Sequence, residues 1–414
     1  MFIRDVIFAG GLGGFFYDDQ AAIRAGAQLD GFRYLGSPVT PGFSAIRIPA
    51  DTLGIGLVLS DGAVAWGDMM SVQYSAAGGR EPLFRSETIE AFARKHVVPR
   101  LVGRDPSDFL AACRTAFAPV EGTRLPVAVE YGVSQALLQA AAAAGRCTMA
   151  EVICRCFGLP SPTKPVPIFA QSGDLRDLNV DKMVLKRVGV LPHGLINGRD
   201  KFGRGGSSFR DFVRWVAKRV RELGTADYRP VLHFDVYGLI GIEFGLDSEA
   251  IADFIAQLAQ DAPGFTINIE CPADFGSLDA QIEGYAAIVS ALKAKGSTAR
   301  IVVDERCNTL DEIKAFARAR AAQFIQIKTP DVGSLADTAA AILVCKENGV
   351  GAYSGGSCVE TDISARASVH VAVATQADMM LAKPGMGVDE GLSIVGNEQA
   401  RLFAELDRSR TSTQ

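Results

Sequence analysis

The chain has 414 residues, 42 Lys and Arg against 47 Asp and Glu, a formal net charge of −5, and 48% hydrophobic residues. At roughly 150 residues per domain that length predicts two or three domains, and the apolar share can bury a large core, which excludes a disordered chain. Near-balanced charge without a long basic run excludes general nucleic-acid binding, and no window offers the roughly 18 uninterrupted apolar residues of a membrane span.

Met1 to Gly14 does not read as a secretory leader, because Arg4 and Asp5 precede only a short apolar run. Met1 to Gly10 reads as a strand. Gly10-Gly-Leu-Gly-Gly14 holds the glycines of a dinucleotide turn, but no helix pattern follows, so it reads as a mobile loop. Gly54 to Ser60, Asp61-Gly62 and Ala63 to Gly67 read as a hairpin, since Asp-Gly suits the positive φ of the turn. Periodic stretches at 87–99 and 107–118, and an Ala-rich run from Val127 to Ala144, predict helices. Thr148, with Glu151 three residues on, predicts a capping box ahead of another helix. Strands followed by helices make residues 1–160 an α+β unit. The Pro-rich stretch Gly158-Leu-Pro-Ser-Pro-Thr-Lys-Pro165 places the domain boundary there.

From 161 to 414 a short apolar run, a polar tip and an amphipathic helix recur. The runs are Val166–Ala170, Gly189–Pro192, Val231–Phe234, Phe265–Ile269, Arg300–Val303, Phe324–Ile327, Val350–Tyr353 and Met379–Ala382. Eight such units predict a (β/α)8 barrel of the TIM type behind an α+β capping domain. A doubly wound sheet is the rival, and it lacks its Gly-rich phosphate turn. The eight cysteines, Cys113, Cys147, Cys154, Cys156, Cys271, Cys307, Cys345 and Cys358, are scattered and predict free thiols in a reducing cytoplasm. Cys154-x-Cys156 has no second pair at zinc-site spacing.

The strand ends carry the chemistry. Val231–Phe234 runs into Asp235, Thr266–Ile269 into Glu270, Ile301–Val303 into Asp304 and Phe324–Ile327 into Lys328. The three acids are 35 and 34 residues apart, one βα unit each. A parallel barrel puts its C-terminal strand ends on one rim, so three carboxylates meet there. Crowded carboxylates repel unless a cation joins them, and an all-oxygen set suits Mg²⁺. A single acid at a strand end is usually a helix cap; three in register, with a lysine on the next strand, predict a metal site. Gln326 and Lys328 share a strand face by parity and should both point inward. A lysine inside a barrel beside a cation should have a lowered pKa and serve as a general base. His193 ends the second strand, on the rim opposite Lys328, where it could act as acid or second base. His233 has the parity of Asp235 and is a candidate neighbour of the acids; His96 and His370 lack such placement.

Tyr17-Asp-Asp-Gln20, Val72–Arg80, Phe169-Ala-Gln-Ser-Gly-Asp174, Leu191-Pro-His193, Phe234-Asp-Val-Tyr-Gly238, Gln326–Asp331 and Lys383–Gly391, together with the acid triplet, resemble the methylaspartate ammonia-lyase family of the enolase superfamily over nearly the whole chain. The resemblance implies a carbon–nitrogen lyase that removes ammonia from (2S,3S)-3-methylaspartate to give mesaconate, as in glutamate degradation via mesaconate. It implies Asp235, Glu270 and Asp304 as Mg²⁺ ligands, Lys328 as the base that takes the C3 proton, and His193 across the substrate. It implies Gln171, Gln326, Ser357, Cys358 and Gln73 on the carboxylates and ammonium, and Phe169, Tyr353 and Leu381 around the methyl group. It further implies activation by a monovalent cation such as K⁺, a homodimer and a cytoplasmic location.

The sequence departs from the family where Ser357 replaces a threonine, Cys271 replaces a glycine, and the stretch Gly198–Gly206 differs in length. Removing a C–H proton beside a carboxylate loads charge onto that carboxylate, and a cation there stabilises it most in the transition state. Another enolase-superfamily dehydratase or racemase is the alternative; a Schiff-base aldolase and an inert binding barrel are more distant ones.

Overall fold

A computed structural model describes residues 1–76, 80–384 and 386–411. Ala77-Gly78-Gly79, inside one resemblance stretch, and Gly385, inside another, lie outside the described residues. Among the described residues no helix is long and apolar enough to cross a membrane.

β1 (Ile3–Asp18) pairs antiparallel with β4 (Arg47–Leu59), which pairs with β5 (Val64–Met69). The small ribbon β2 (Leu29–Asp30) and β3 (Arg33–Tyr34) lies between them in sequence. The β4–β5 hairpin turns through Asp61-Gly62, and Gly62 takes φ +90° as the turn demands. The helix Val127–Gly145 packs on this sheet so closely that a Cβ on Gly67 would sit 2.0 Å from Gly132 O, which only glycine allows. The Thr148–Glu151 capping box opens the helix Met149–Phe157, as predicted.

One expectation fails. Gly10–Gly14 is not a loop but the middle of β1, with a shift in its register to β4 between Leu12 and Phe16. Gly11, Gly13 and Gly14 serve close approach. A Cβ on Gly14 would lie 2.4 Å from Pro384 Cβ and 2.6 Å from Glu360 O, where β1 crosses a loop of the second unit.

The second unit is a closed, parallel, eight-stranded barrel. Its strands are β6 (Ile168–Phe169), β7 (Val190–His193), β8 (Val231–Asp235), β9 (Ile267–Glu270), β10 (Arg300–Val303), β11 (Phe324–Ile327), β12 (Gly351–Ser354) and β13 (Met379–Leu381). All eight apolar runs hold strands, with ends shifted by up to two residues; β7, β8 and β9 run on to include His193, Asp235 and Glu270. Between them lie amphipathic helices such as Ser207–Leu223, whose Phe209, Phe212, Val213, Val216 and Val220 recur at helical spacing and are buried. Asp235 pairs in register with Glu270, so strand pairing alone brings two acids together at the rim.

Candidate active site

A cavity of about 330 Å³ opens at the C-terminal rim of the barrel and is roofed by the N-terminal unit. Asp235, Glu270, Asp304, Lys328, His193, Gln326, Gln171, Tyr353, Ser357, Cys358, Leu381 and Gln73 all line it. Of the expected site residues only Phe169 lies outside the wall. It is fully buried one layer deeper, its ring stacked on His233 at 4.3 Å and edge-on to Tyr353 at 5.1 Å.

The acids are buried: Asp235 is 4%, Glu270 0% and Asp304 8% exposed. Burial, and then the neighbouring carboxylates, push Asp235 and Glu270 far above the usual carboxylate range. One donor atom each from His193, Asp235 and Glu270 fall within 4.8 Å of one another. The expected set had Asp304 in place of His193. The reason is visible: Asp304 Oδ1 is drawn to Lys328 Nζ, 2.8 Å away, while His193 Nε2 stands 3.6 Å from Asp235 Oδ2.

Lys328 departs from expectation. Burial would lower its pKa, but Asp304, with Glu305 and Asp331 behind it, outweighs burial and Arg80 and raises it. Without counting a metal charge, the rim is a surplus of acid, and acid holds a lysine protonated. His193 is lowered to about 4, chiefly by burial, so its ring is neutral near pH 7. It is a non-glycine residue at φ +68°, a backbone held by its surroundings at the cavity edge.

The donor set fits a hard divalent cation. Two buried acids and a third within the same cavity supply oxygen ligands, and Lys328 offsets only part of their repulsion. Buried Gln171 Oε1, Gln326 Oε1, His193 Nδ1 and Tyr353 OH have no hydrogen-bond partner among the described residues. Polar atoms so placed mark a site shaped for a polar ligand.

Two models of one family cover nearly the whole chain. The methylaspartate ammonia-lyase N-terminus matches residues 1–158, and the methylaspartate ammonia-lyase C-terminus matches residues 161–408. The chain belongs to the methylaspartate ammonia-lyase family. It is 46% identical over 416 residues to methylaspartate ammonia-lyase 1 of Carboxydothermus hydrogenoformans, covering 100% of this chain and 99% of that protein. The crystal structure of the Citrobacter amalonaticus methylaspartate ammonia lyase containing (2S,3S)-3-methylaspartic acid matches with TM-score 0.96 and 46% identity, over 98% of this chain and 100% of that one. The Mg complex of β-methylaspartase from Clostridium tetanomorphum matches with TM-score 0.95 and 44% identity, over 99% and 100%.

In this methylaspartate ammonia-lyase family member, several wall residues escaped the sequence reading. Asp18 and Arg47 form a two-pronged ion pair with both contacts at 2.7 Å. Phe32 and Tyr34 flank the guanidinium at 4.5 and 4.9 Å. Gln73 Nε2 donates to Asp18 Oδ2 at 2.8 Å, and Cys358 Sγ–H donates to Gln73 Oε1 at 3.2 Å. This chain sets the amide of Gln73 and ties the roof to the barrel. Tyr17-Asp-Asp-Gln20 was the available signal, but nothing in the sequence says that Asp18 meets Arg47. Tyr74, Arg80, Glu305 and Tyr237 also line the cavity; Arg80 Nε holds Asp331 Oδ2 at 2.9 Å.

Proposed function

We propose that this chain eliminates ammonia from (2S,3S)-3-methylaspartate to give mesaconate, with Mg²⁺ held by Asp235, Glu270 and Asp304. The observation that carries the reading is the convergence of three buried carboxylates and a lysine in one roofed cavity, in a chain of the methylaspartate ammonia-lyase family.

When bound, the cation supplies positive charge beside a substrate carboxylate, whose oxygens gain negative charge as the neighbouring C–H bond breaks. Lys328 Nζ takes the C3 proton. To do so the side chain must first release to solvent the proton that the surrounding acids hold on it, and give up its ion pair with Asp304. Charge compensation of those acids by the cation would favour that neutral amine, so Asp304 has two competing roles. The electron pair left on C3 forms the C2–C3 double bond, and ammonia leaves from C2. His193 faces the substrate from the other wall, neutral and able to hydrogen-bond, and serves as base for the other C3 epimer. Gln171 and Gln326 present their free Oε1 atoms to the ammonium. Ser357, Cys358 and Gln73 hold the carboxylates, and Tyr353 and Leu381 shape the space around the methyl group, with Phe169 backing Tyr353 from the layer below.

Residues 1–160 act as the cap and 161–414 as the catalytic barrel in this reading. K⁺ as activator, a homodimer and a cytoplasmic location complete it; eight unpaired thiols suit a reducing compartment.

The test is release of ammonia and unsaturated product from (2S,3S)-3-methylaspartate with Mg²⁺ and K⁺, before and after chelation. Product that stops with chelator and returns with Mg²⁺ is expected. Turnover indifferent to chelator overturns the metal assignment, and a superfamily dehydratase or racemase releases no ammonia.

A further inference from the structure

Beneath the carboxylates the barrel interior holds a polar layer. His233 and Asn268 each precede an acid by two residues on their strands, Asp235 and Glu270, so they share its inward face. His233 pairs in register with Asn268, and Asn268 with Arg300. Asn268, His233 and Glu270 are all 0% exposed, so bulk solvent does not reach their hydrogen bonds.

Donor chemistry orders this row. Arg300 Nε donates to Asn268 Oδ1 at 2.8 Å. A guanidinium only donates, so the amide atom facing it is the oxygen, and the orientation of Asn268 is settled. Asn268 Nδ2 then faces His233 Nδ1 at 3.3 Å. An amide nitrogen also only donates, so Nδ1 must accept. A proton on Nδ1 would set two donors against each other, which disfavours both the other tautomer and the imidazolium. The ring proton therefore sits on Nε2, 2.5 Å from Glu270 Oε2, the short contact of a charge-assisted bond. Gln326 Nε2 donates to Glu270 Oε1, also at 2.5 Å. Phe169, stacked on the imidazole at 4.3 Å, holds the plane of the ring.

We propose that Arg300, Asn268 and His233 form a positioning relay that fixes the Nε2–H tautomer of His233 and, through it, the orientation of the Glu270 carboxylate. The proposal rests on the reading of Glu270 as a ligand of the divalent cation. Each Glu270 oxygen holds one donor from the protein and keeps lone pairs for a ligand. The carboxylate is thus oriented before any cation arrives. His233 is a positioning residue, acting only through Glu270. Losing such an oriented partner typically costs about 10- to 100-fold in metal affinity.

Two measurements test it. Long-range proton–nitrogen NMR on the unaltered chain reads the histidine tautomers directly; with four histidines in the chain, His233→Gln assigns the signal. A protonated Nε2 and a bare Nδ1 are expected. The Nδ1–H tautomer or an imidazolium overturns the relay, and this readout stands even where a variant fails to fold. Calorimetric Mg²⁺ titration then compares His233→Phe, which keeps a ring without a donor, with His233→Gln, whose amide nitrogen can replace Nε2. Phe is expected to weaken Mg²⁺ binding about 10- to 100-fold and Gln to restore most of it. Unchanged affinity in the Phe variant, or equal loss in both, overturns the positioning role. Glu270→Gln separates the two readings: if it leaves Mg²⁺ affinity unchanged, the ligand assignment fails, while the tautomer result is unaffected.

Discussion

Lys383 Nζ lies 3.0 Å from Glu360 Oε2, and the two side chains are 1% and 0% exposed. Tyr131 of the helix Val127–Gly145 donates its hydroxyl to the same carboxylate, and the Ser357 N–H donates to Glu360 Oε2 at 2.8 Å. Lys383 also reaches Thr329 Oγ1 and Gly355 O, both at 3.0 Å. One dry ion pair thus joins the loop after β13 to the loop that carries Ser357 and Cys358, and the Tyr131 hydroxyl ties that carboxylate to the roof. Lys383→Met leaves a buried anion without its partner and is expected to cost about 3–5 kcal/mol. The double variant Lys383→Met with Glu360→Gln removes both charges and should recover a large part of that loss in chemical denaturation. A double variant as unstable as the single one contradicts the ion-pair account.

The glycines of β1 are not equivalent. A Cβ on Gly10 meets nothing within 4 Å, whereas one on Gly14 meets Pro384, Glu360 O and Cys358 O within 3.1 Å. Gly14 N also donates to Val359 O and Glu360 O, at 3.1 and 3.2 Å. Gly10→Ala should be neutral or stabilising by less than about 1 kcal/mol. Gly14→Ala should cost at least about 2 kcal/mol, as overpacking does, and raise KM by displacing Cys358. Thermal melts of the pair check this; equal effects contradict it.

These two cases show what the sequence displays and what it hides. The barrel was legible because each strand is a short apolar run ending in a chemically distinct residue, and parity told which residues face inward. Asp235, Glu270 and Lys328 follow from that rule alone. Gly10–Gly14 misled because glycine marks mobility and close packing alike, and only the partner strand and the 358–360 loop decide between them. Asp18 and Arg47, and the bond that ties Gln73 to them, stayed hidden because that contact joins three separate stretches of the roof. The raised pKa of Lys328 was missed for a different reason: the sequence places the lysine beside acids but does not say that Asp304 turns toward it.

Cys271 follows Glu270 at φ +50° and is 4% exposed. A side chain in the left-handed region costs about 1–2 kcal/mol. Cys271→Gly trades that strain against lost burial and should leave stability within about 1 kcal/mol. Cys271→Val adds a β-branched side chain where the backbone tolerates it least, and should cost more than about 2 kcal/mol. Denaturation midpoints decide, and a well-tolerated valine contradicts the backbone argument.

Asp261 accepts from Arg210 Nε at 2.6 Å and pairs with Arg214 at 2.8 Å. Burial would raise its pKa, but the two arginines outweigh burial and hold it below the ordinary 3.8. A carboxylate lowered by folding stabilises the fold above its unfolded pKa, and that contribution fades as pH falls through the folded value. Asp261→Asn should therefore lower Tm at pH 7, by about 1 kcal/mol of stability, and the gap to the unaltered chain should shrink below about pH 4. A gap that widens in acid reverses the sign and contradicts the assignment.

The central claim is that Lys328 takes the proton whose removal starts ammonia loss. The most direct measurement is kcat of Lys328→Ala for (2S,3S)-3-methylaspartate at saturating Mg²⁺, with circular dichroism and Mg²⁺ titration as controls. The account predicts a fall of about 10²- to 10⁴-fold, the usual contribution of a general base, with fold and cation binding retained. A folded, Mg²⁺-binding variant with near-normal kcat contradicts it.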